Sequence, residues 1–131
     1  MNRGAVFFYS ELTFHDGGKG EKLLIVINSP KKGQNYLCCK TTSKPKNNKT
    51  NPGCYSNDSL FVVDPIQGCF RIKTWIQFHE IYEFRSIDFL KLHFKDQTLN
   101  KKADLPQRIF DSLIECIKRS PDVSKAHLSM L

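Results

Sequence analysis

One apolar run constrains this chain more than any other stretch: residues 21–28, Glu-Lys-Leu-Leu-Ile-Val-Ile-Asn. Five apolar residues lie between a charged pair and an Asn-Ser-Pro turn signal, which is typical of a strand buried on both faces. A second run, residues 36–43, reads Tyr-Leu-Cys-Cys-Lys-Thr-Thr-Ser. The turn-forming Ser-Pro-Lys-Lys-Gly between them predicts an antiparallel hairpin, with lysine and hydroxyl side chains at one rim of the sheet.

The length of 131 residues predicts one domain, residues 1–131, with a core of its own. No apolar run approaches the roughly 18 residues of a membrane span, and the first residues do not resemble a signal peptide. We therefore expect a cytoplasmic protein without membrane contact. The formal net charge of +7 favours a polyanionic partner such as RNA, DNA or an acidic protein.

Five cysteines are spread through the chain without a CxxC motif. An odd number with this spacing predicts neither a disulfide framework nor a zinc site. We expect most of the cysteines to be reduced core residues, and nothing in the sequence calls for a metal or another cofactor.

The remaining segments predict short strands followed by two helices. Without an alternation of strands and helices, this order indicates an α+β fold that is mainly β, with an antiparallel sheet or small barrel and helices at one side. Strands are predicted at residues 4–9, 60–63, 69–73 and 74–84, a turn at 64–68, helices at 86–94 and 105–119, and a tail at 122–131 that adds a turn or stays loose. Residues 15–20 are predicted to form a mobile glycine loop, 44–58 a long basic loop, and 95–102 a polar connection.

The alternation in residues 74–84 would place Gln77, His79 and Glu83 on one face of the sheet. A solvated sheet face explains these residues as well as a functional site does. If the face is functional, His79 is a candidate for proton transfer near neutral pH, as is His15 in the glycine loop.

Several pieces, taken in order, resemble the MazF/PemK toxin family. They are Gly4-x-Val6, the Gly17 to Gly20 loop that leads to a basic residue and Leu-Ile-Val-Ile-Asn, the run Leu-Cys-Cys-Lys-Thr-Thr, and Ile-Gln before Ile81. The resemblance spans about residues 3–118. It implies a small SH3-like antiparallel barrel with a C-terminal helix, the barrel covering about residues 3–84.

The resemblance also implies a function. Members of this family are mostly metal-independent endoribonucleases of bacteria or their phages that cut single-stranded RNA, act as homodimers and are silenced by a protein antitoxin. The family's catalytic basic residue corresponds to Lys22, and its catalytic threonine to Thr41, with Thr42 beside it. Where the family normally has arginine followed by proline, this chain has Lys22-Leu23.

These residue types suit metal-free RNA cleavage, which deprotonates a 2′-OH, stabilises a charged phosphate and protonates a leaving oxygen. The predicted catalytic residues are Lys22, Thr41, Thr42 and His79, and the predicted RNA-binding residues are Lys19, Lys40, Lys44, Lys46, Lys49 and Gln77. Each has a structural alternative, because lysines often flank strands and threonines favour them. A non-catalytic SH3-like module that binds nucleic acid or protein is therefore the second hypothesis, and a dimeric inhibitor of a gyrase-like enzyme is a third.

Overall fold

A computed structural model of the protein describes residues 2–65 and 69–131. Its strands are β1 (Ala5–Thr13), β2 (Lys19–Val26), β3 (Tyr36–Thr42), β4 (Gly53–Tyr55), β5 (Leu60–Val63), β6 (Thr74–Phe84) and β7 (Leu99–Asp104). Its helices are α1 (Ser86–Phe94), α2 (Gln107–Lys118) and α3 (Lys125–Leu128), and a 3-10 turn lies at Ser56–Asp58. The strands form one antiparallel sheet in the order β4-β5-β6-β3-β2-β1-β7.

This architecture confirms the predicted fold class, which is mainly β with an antiparallel sheet and a few helices. The predicted hairpin is present, because Ile25 of β2 lies opposite Cys39 of β3. Buried Asn28 closes it: the amide accepts a hydrogen bond from the Leu37 N–H at 2.8 Å and donates one to the Asn35 carbonyl at 3.0 Å. Within the described part of the chain, no helix is long and apolar enough to cross a membrane.

Apolar side chains pack on both faces of the sheet, as the continuous apolar run in β2 predicts. On one face, Ile25 and Cys39 belong to a core that includes the apolar side of α2. On the other face, Leu24 and Cys38 belong to a core that includes Phe89 of α1. Neighbouring residues of β2 and β3 thus face different cores, and polar residues at the ends of these strands also divide between the two faces.

The two larger helices lie close to their predicted positions, but their N-caps differ. Arg85 is the N-cap of α1, and Ser86 is already helical. Pro106 is the N-cap of α2, instead of Asp104 or Leu105. Proline's fixed φ and missing N–H suit a helix start.

Several predicted boundaries were wrong. The connection at 95–102 contains most of β7, and the long loop at 44–58 contains β4 and the 3-10 turn. The tail at 122–131 adds the single turn α3, one of its two predicted forms. Residues 69–73 form no strand. The predicted turn at 64–68 lies partly outside the described residues, because 66–68 are not among them.

Three of the five cysteines are free, which confirms the prediction that most are reduced, but Cys54 of β4 and Cys116 of α2 form a disulfide that the sequence did not predict. It ties an edge strand of the sheet to the helix that covers one face. Because the two cysteines are 62 residues apart in the sequence, no local motif could have predicted their pairing. Cys38, Cys39 and Cys69 are free, and burial raises the pKa of each thiol.

Candidate functional site

A cavity of about 830 Å³ opens where β2 begins and β3 ends. Strand pairing places the start of β2 beside the end of β3, so the basic residue before the apolar run lies near the threonines that close the second run. The predicted residues that line this larger cavity are Lys22, Thr41, Thr42, Lys44 and Lys46. The structure therefore brings together three of the four predicted catalytic residues.

A smaller cavity of about 240 Å³ lies next to it and shares Lys22, Thr42 and Lys46 with the larger one. Lys40 and Gln77, which lie directly opposite each other on β3 and β6, line only the smaller cavity. Side chains alternate along β3, so Lys40 and Thr41 point to opposite faces. The two cavities adjoin each other where β2 begins and β3 ends. We call them together the basic groove, which is defined by Lys22, Lys40, Lys44 and Lys46.

Lys22 carries the clearest electrostatic signal in this groove. Partial burial lowers the pKa of its ammonium, and the nearby charges of Lys40, Lys46 and Lys44 lower it further. Like charges that crowd one site without an equal number of carboxylates favour an anionic ligand, which would relieve their repulsion.

Binding of a polyanion in the groove is expected to weaken as the pH rises through the pKa of Lys22, which lies below the 10.5 of an ordinary lysine. In the native state, burial and the neighbouring lysines disfavour the charged form of Lys22. Lys22 therefore opposes folding at neutral pH, and this opposition fades as the pH rises through its folded-state pKa.

Fluorescence anisotropy with a labelled oligothymidine between pH 7 and 10 would measure this loss of binding. Lys22→Arg keeps its charge over that range and serves as the control. A fall in affinity that is equally steep in Lys22→Arg would show that Lys22 is not the titrating group.

The two threonines of β3 make different hydrogen bonds. Thr41 is only 4% exposed, and its hydroxyl donates to the Leu23 carbonyl at 2.9 Å, so its hydrogen is already committed to the strand pair. The Thr42 hydroxyl oxygen instead accepts from the Lys44 N–H at 3.2 Å. Its own O–H can still donate to a phosphoryl oxygen, which makes Thr42 the better placed of the two.

The predicted basic loop is held against the sheet at several points. Lys46 and Lys49 form a β-bridge around Asn47 and Asn48, which both have positive φ, as an Asn-rich tight turn allows. The Trp75 indole N–H donates to the Lys49 carbonyl at 2.7 Å. These contacts fix the backbone from which Lys46 reaches the groove.

Three predicted residues lie outside the lining of both cavities. Lys19 is exposed at the start of β2, and Lys49 pairs with Asp58 at 4.0 Å and lies over the Tyr55 ring. His79 is exposed on β6. The structure therefore groups Lys22 and Thr42 with other lysines, but not with His79.

An irregularity in β6 explains the position of His79. Tyr82 lies opposite Cys38, and Gln77 lies opposite Lys40. Between these two pairs β6 has four residues, 78–81, where β3 has only Cys39. Such a bulge breaks strict alternation. The prediction that Gln77, His79 and Glu83 share one face was wrong: Gln77 is buried in the sheet, whereas Glu83 is exposed and pairs with His127 at 3.3 Å.

Sequence reasoning missed several residues of the groove. Glu80 lies in the bulge and lines the smaller cavity. Lys102 lies in β7, which was predicted as a connection, and its ammonium is 5.9 Å from the centre of the Phe8 ring. Further lining residues of the larger cavity are Phe8, Phe70, Arg71 and Ile72. For Phe8, Phe70, Arg71 and Lys102, basic or aromatic character is the one signal that could have suggested them, and Glu80 and Ile72 carry no such signal.

No group of three or more His, Cys, Asp or Glu side chains within residues 2–65 and 69–131 is arranged to hold a metal ion. Basic and hydroxyl side chains dominate the groove instead, and these bind phosphate.

Comparison with known proteins adds no identification. No protein-family model matches the chain, and no curated protein matches it. The likeness to MazF/PemK toxins therefore stays a resemblance of short pieces in order.

Proposed function

We propose that the chain is a metal-independent endoribonuclease that binds single-stranded RNA in the basic groove. The observation that carries this proposal is the convergence of Lys22, Lys40, Lys44 and Lys46 on two adjoining cavities. These lysines come from β2, β3 and the basic loop. The two cavities that they line, of about 830 and 240 Å³, are together large enough for more than one nucleotide. Half-buried Phe8 at its edge offers a surface for stacking a base.

Cleavage without a metal depends on RNA's own 2′-OH, which attacks the neighbouring phosphate once its proton is removed. The lysines would neutralise the additional negative charge that develops on the phosphate. Thr42 would donate a hydrogen bond to a phosphoryl oxygen. Following the resemblance, the proposal includes a homodimer, a bacterial cytoplasmic setting and a protein antitoxin that occupies the same groove.

The test is a gel assay of purified protein on a single-stranded RNA in the presence of EDTA. Discrete fragments with 2′,3′-cyclic phosphate ends are expected, while a DNA strand of the same sequence should bind but remain uncut because it lacks the 2′-OH. Lys22→Ala should abolish cleavage. Intact RNA with a folded protein would overturn the enzymatic proposal.

Two observations favour a second candidate, a non-catalytic module that binds nucleic acid. The Thr41 hydroxyl already donates its hydrogen bond to the Leu23 carbonyl. In addition, Lys22 stands where the toxin family has an arginine, and a lysine cannot hold a phosphate bidentately as an arginine does. This candidate predicts salt-sensitive RNA binding without any turnover in the same assay.

A further inference from the structure

A histidine and a carboxylate lie at the smaller cavity, outside the set of residues that the resemblance points to. His15 Nδ1 is 3.4 Å from Glu80 Oε2, and Lys40 Nζ is 3.7 Å from the same oxygen. The Tyr82 hydroxyl also reaches that oxygen at 3.5 Å, and the His15 and Tyr82 rings are 4.5 Å apart. Glu80 and Tyr82 thus contact the half-exposed imidazole from two sides.

The turn between β1 and β2 holds the backbone of His15. The Phe14 N–H donates to the Gly18 carbonyl at 2.7 Å, and the Gly17 N–H donates to the Phe14 carbonyl at 2.9 Å. Gly17 has a φ of +92°, which only glycine adopts readily. The predicted mobile loop is therefore a hydrogen-bonded turn that presents His15 to the cavity.

From this arrangement we propose that His15, positioned by Glu80, is the base that removes the 2′-OH proton in the RNA cleavage proposed above. The inference rests on that proposed function. A proton on Nδ1, which is 3.4 Å from Glu80 Oε2, would leave the lone pair of Nε2 free to accept a proton, which is how a carboxylate selects the tautomer of a catalytic imidazole.

Side chains of this one site accept and donate both protons that the step requires. The 2′-OH proton moves to His15 Nε2, the 2′-oxygen forms a bond to phosphorus, and the bond between phosphorus and the 5′-oxygen breaks. The 5′-oxygen takes a proton from the Lys22 ammonium, which lines the same cavity. The lowered pKa of that ammonium makes it a better acid than an ordinary lysine. Exchange with water then restores both side chains.

Charged and titratable groups surround the imidazole of His15 at the smaller cavity. Those that face it from the turn, the sheet and the basic loop are Asp16, Lys22, Lys40, Lys46, Glu80 and Tyr82. Two of these are carboxylates and three are lysines. Replacing Glu80 by glutamine would leave Asp16 as the one carboxylate of this set beside three lysines.

The test compares His15→Ala and Glu80→Gln with the wild type in cleavage and in binding. His15→Ala is expected to slow cleavage by roughly 100- to 10,000-fold, the contribution of a general base. It should also remove the acidic limb of the pH–rate profile and regain activity with added imidazole. Glu80→Gln should lower kcat about tenfold with little change in KM, as a positioning residue does. Affinity for a 2′-deoxy strand, measured by anisotropy, should change less than about threefold in both.

His127→Ala, which removes a histidine near the C-terminus, is the matched control and should cleave normally. If the wild type cleaves RNA and His15→Ala cleaves equally fast, the inference fails while the ribonuclease proposal stands. Loss of cleavage in His79→Ala but not in His15→Ala would overturn it in favour of His79. An inactive but folded and RNA-binding wild type overturns both.

Discussion

Replacing Cys54 and Cys116 together by alanine is expected to lower the free energy of unfolding by about 4 kcal/mol. The bond closes a loop with a sequence separation of 62 residues, and the chain-entropy model gives roughly this value for a loop of that length. In a domain of this size, such a loss lowers Tm by roughly 10 to 15 °C.

Thermal unfolding followed by circular dichroism, with and without a phosphine reductant, would measure the effect. Reductant should lower the Tm of the wild type and leave that of the double variant unchanged. Cys69→Ala, which removes a free and half-exposed cysteine, is the control and should respond to reductant like the wild type. A thiol titration of five free cysteines in the unreduced wild type would contradict the disulfide.

The disulfide also bears on where the protein works. Disulfides persist mainly in oxidising compartments, whereas the sequence favours the cytoplasm. The cytoplasmic location stays a prediction. The comparison of reduced and oxidised protein would show how stable the fold is in a reducing cell.

Reversing two charges of the groove, Lys22→Glu with Lys46→Glu, is expected to weaken binding of single-stranded RNA by about 100-fold. Each lysine is expected to make a charge-assisted hydrogen bond to phosphate worth about 1.5 kcal/mol, so the pair contributes about 3 kcal/mol. Both residues line both cavities, which is why their effect should exceed that of any other pair in the groove.

The same pair should change how binding depends on salt. For single strands, each phosphate contact contributes about 0.7 to the slope of log affinity against log salt. The double variant should therefore lose about 1.4 from that slope, as measured by anisotropy between 50 and 300 mM salt. Lys31→Glu with Lys32→Glu is the control, since it makes the same charge change in the turn at the opposite end of β2 and β3. Equal losses in both variants would mean that net charge, and not the groove, binds the RNA.

The sequence predicted those strands and helices that have a periodic pattern of apolar residues within their own segment. β6, α1 and α2 were found almost to the residue because alternation and a helical apolar stripe persist over nine or more residues. β7 was missed because Leu99 is its only buried residue and the others are mostly polar. It lies at an edge of the sheet and depends on β1 for its pairing, which no local pattern reveals.

The site was predicted in part for the same reason. Lys22 and Thr42 meet because a hairpin joins their strands, and hairpins are visible in sequence. His79 was predicted from the strand alternation that it shares with Gln77 and Glu83. An unbroken register continued from the pair Cys38 and Tyr82 would set His79 opposite Thr41. The structure places Ile76 there. A bulge depends on packing of the whole sheet, so sequence alternation could not reveal it.

That bulge lies where β6 passes from one apolar cluster to another. Before it, Trp75 packs with Leu60 and Val62, and after it Tyr82 belongs to the core that includes Phe89. Glu80 lies in the bulge and pairs with Lys40 of β3. A ligand that favours one spacing of Lys40 and Glu80 would therefore also favour the bulged register of β6. Occupancy of the smaller cavity and the register of β6 against β3 would be thermodynamically linked in this way.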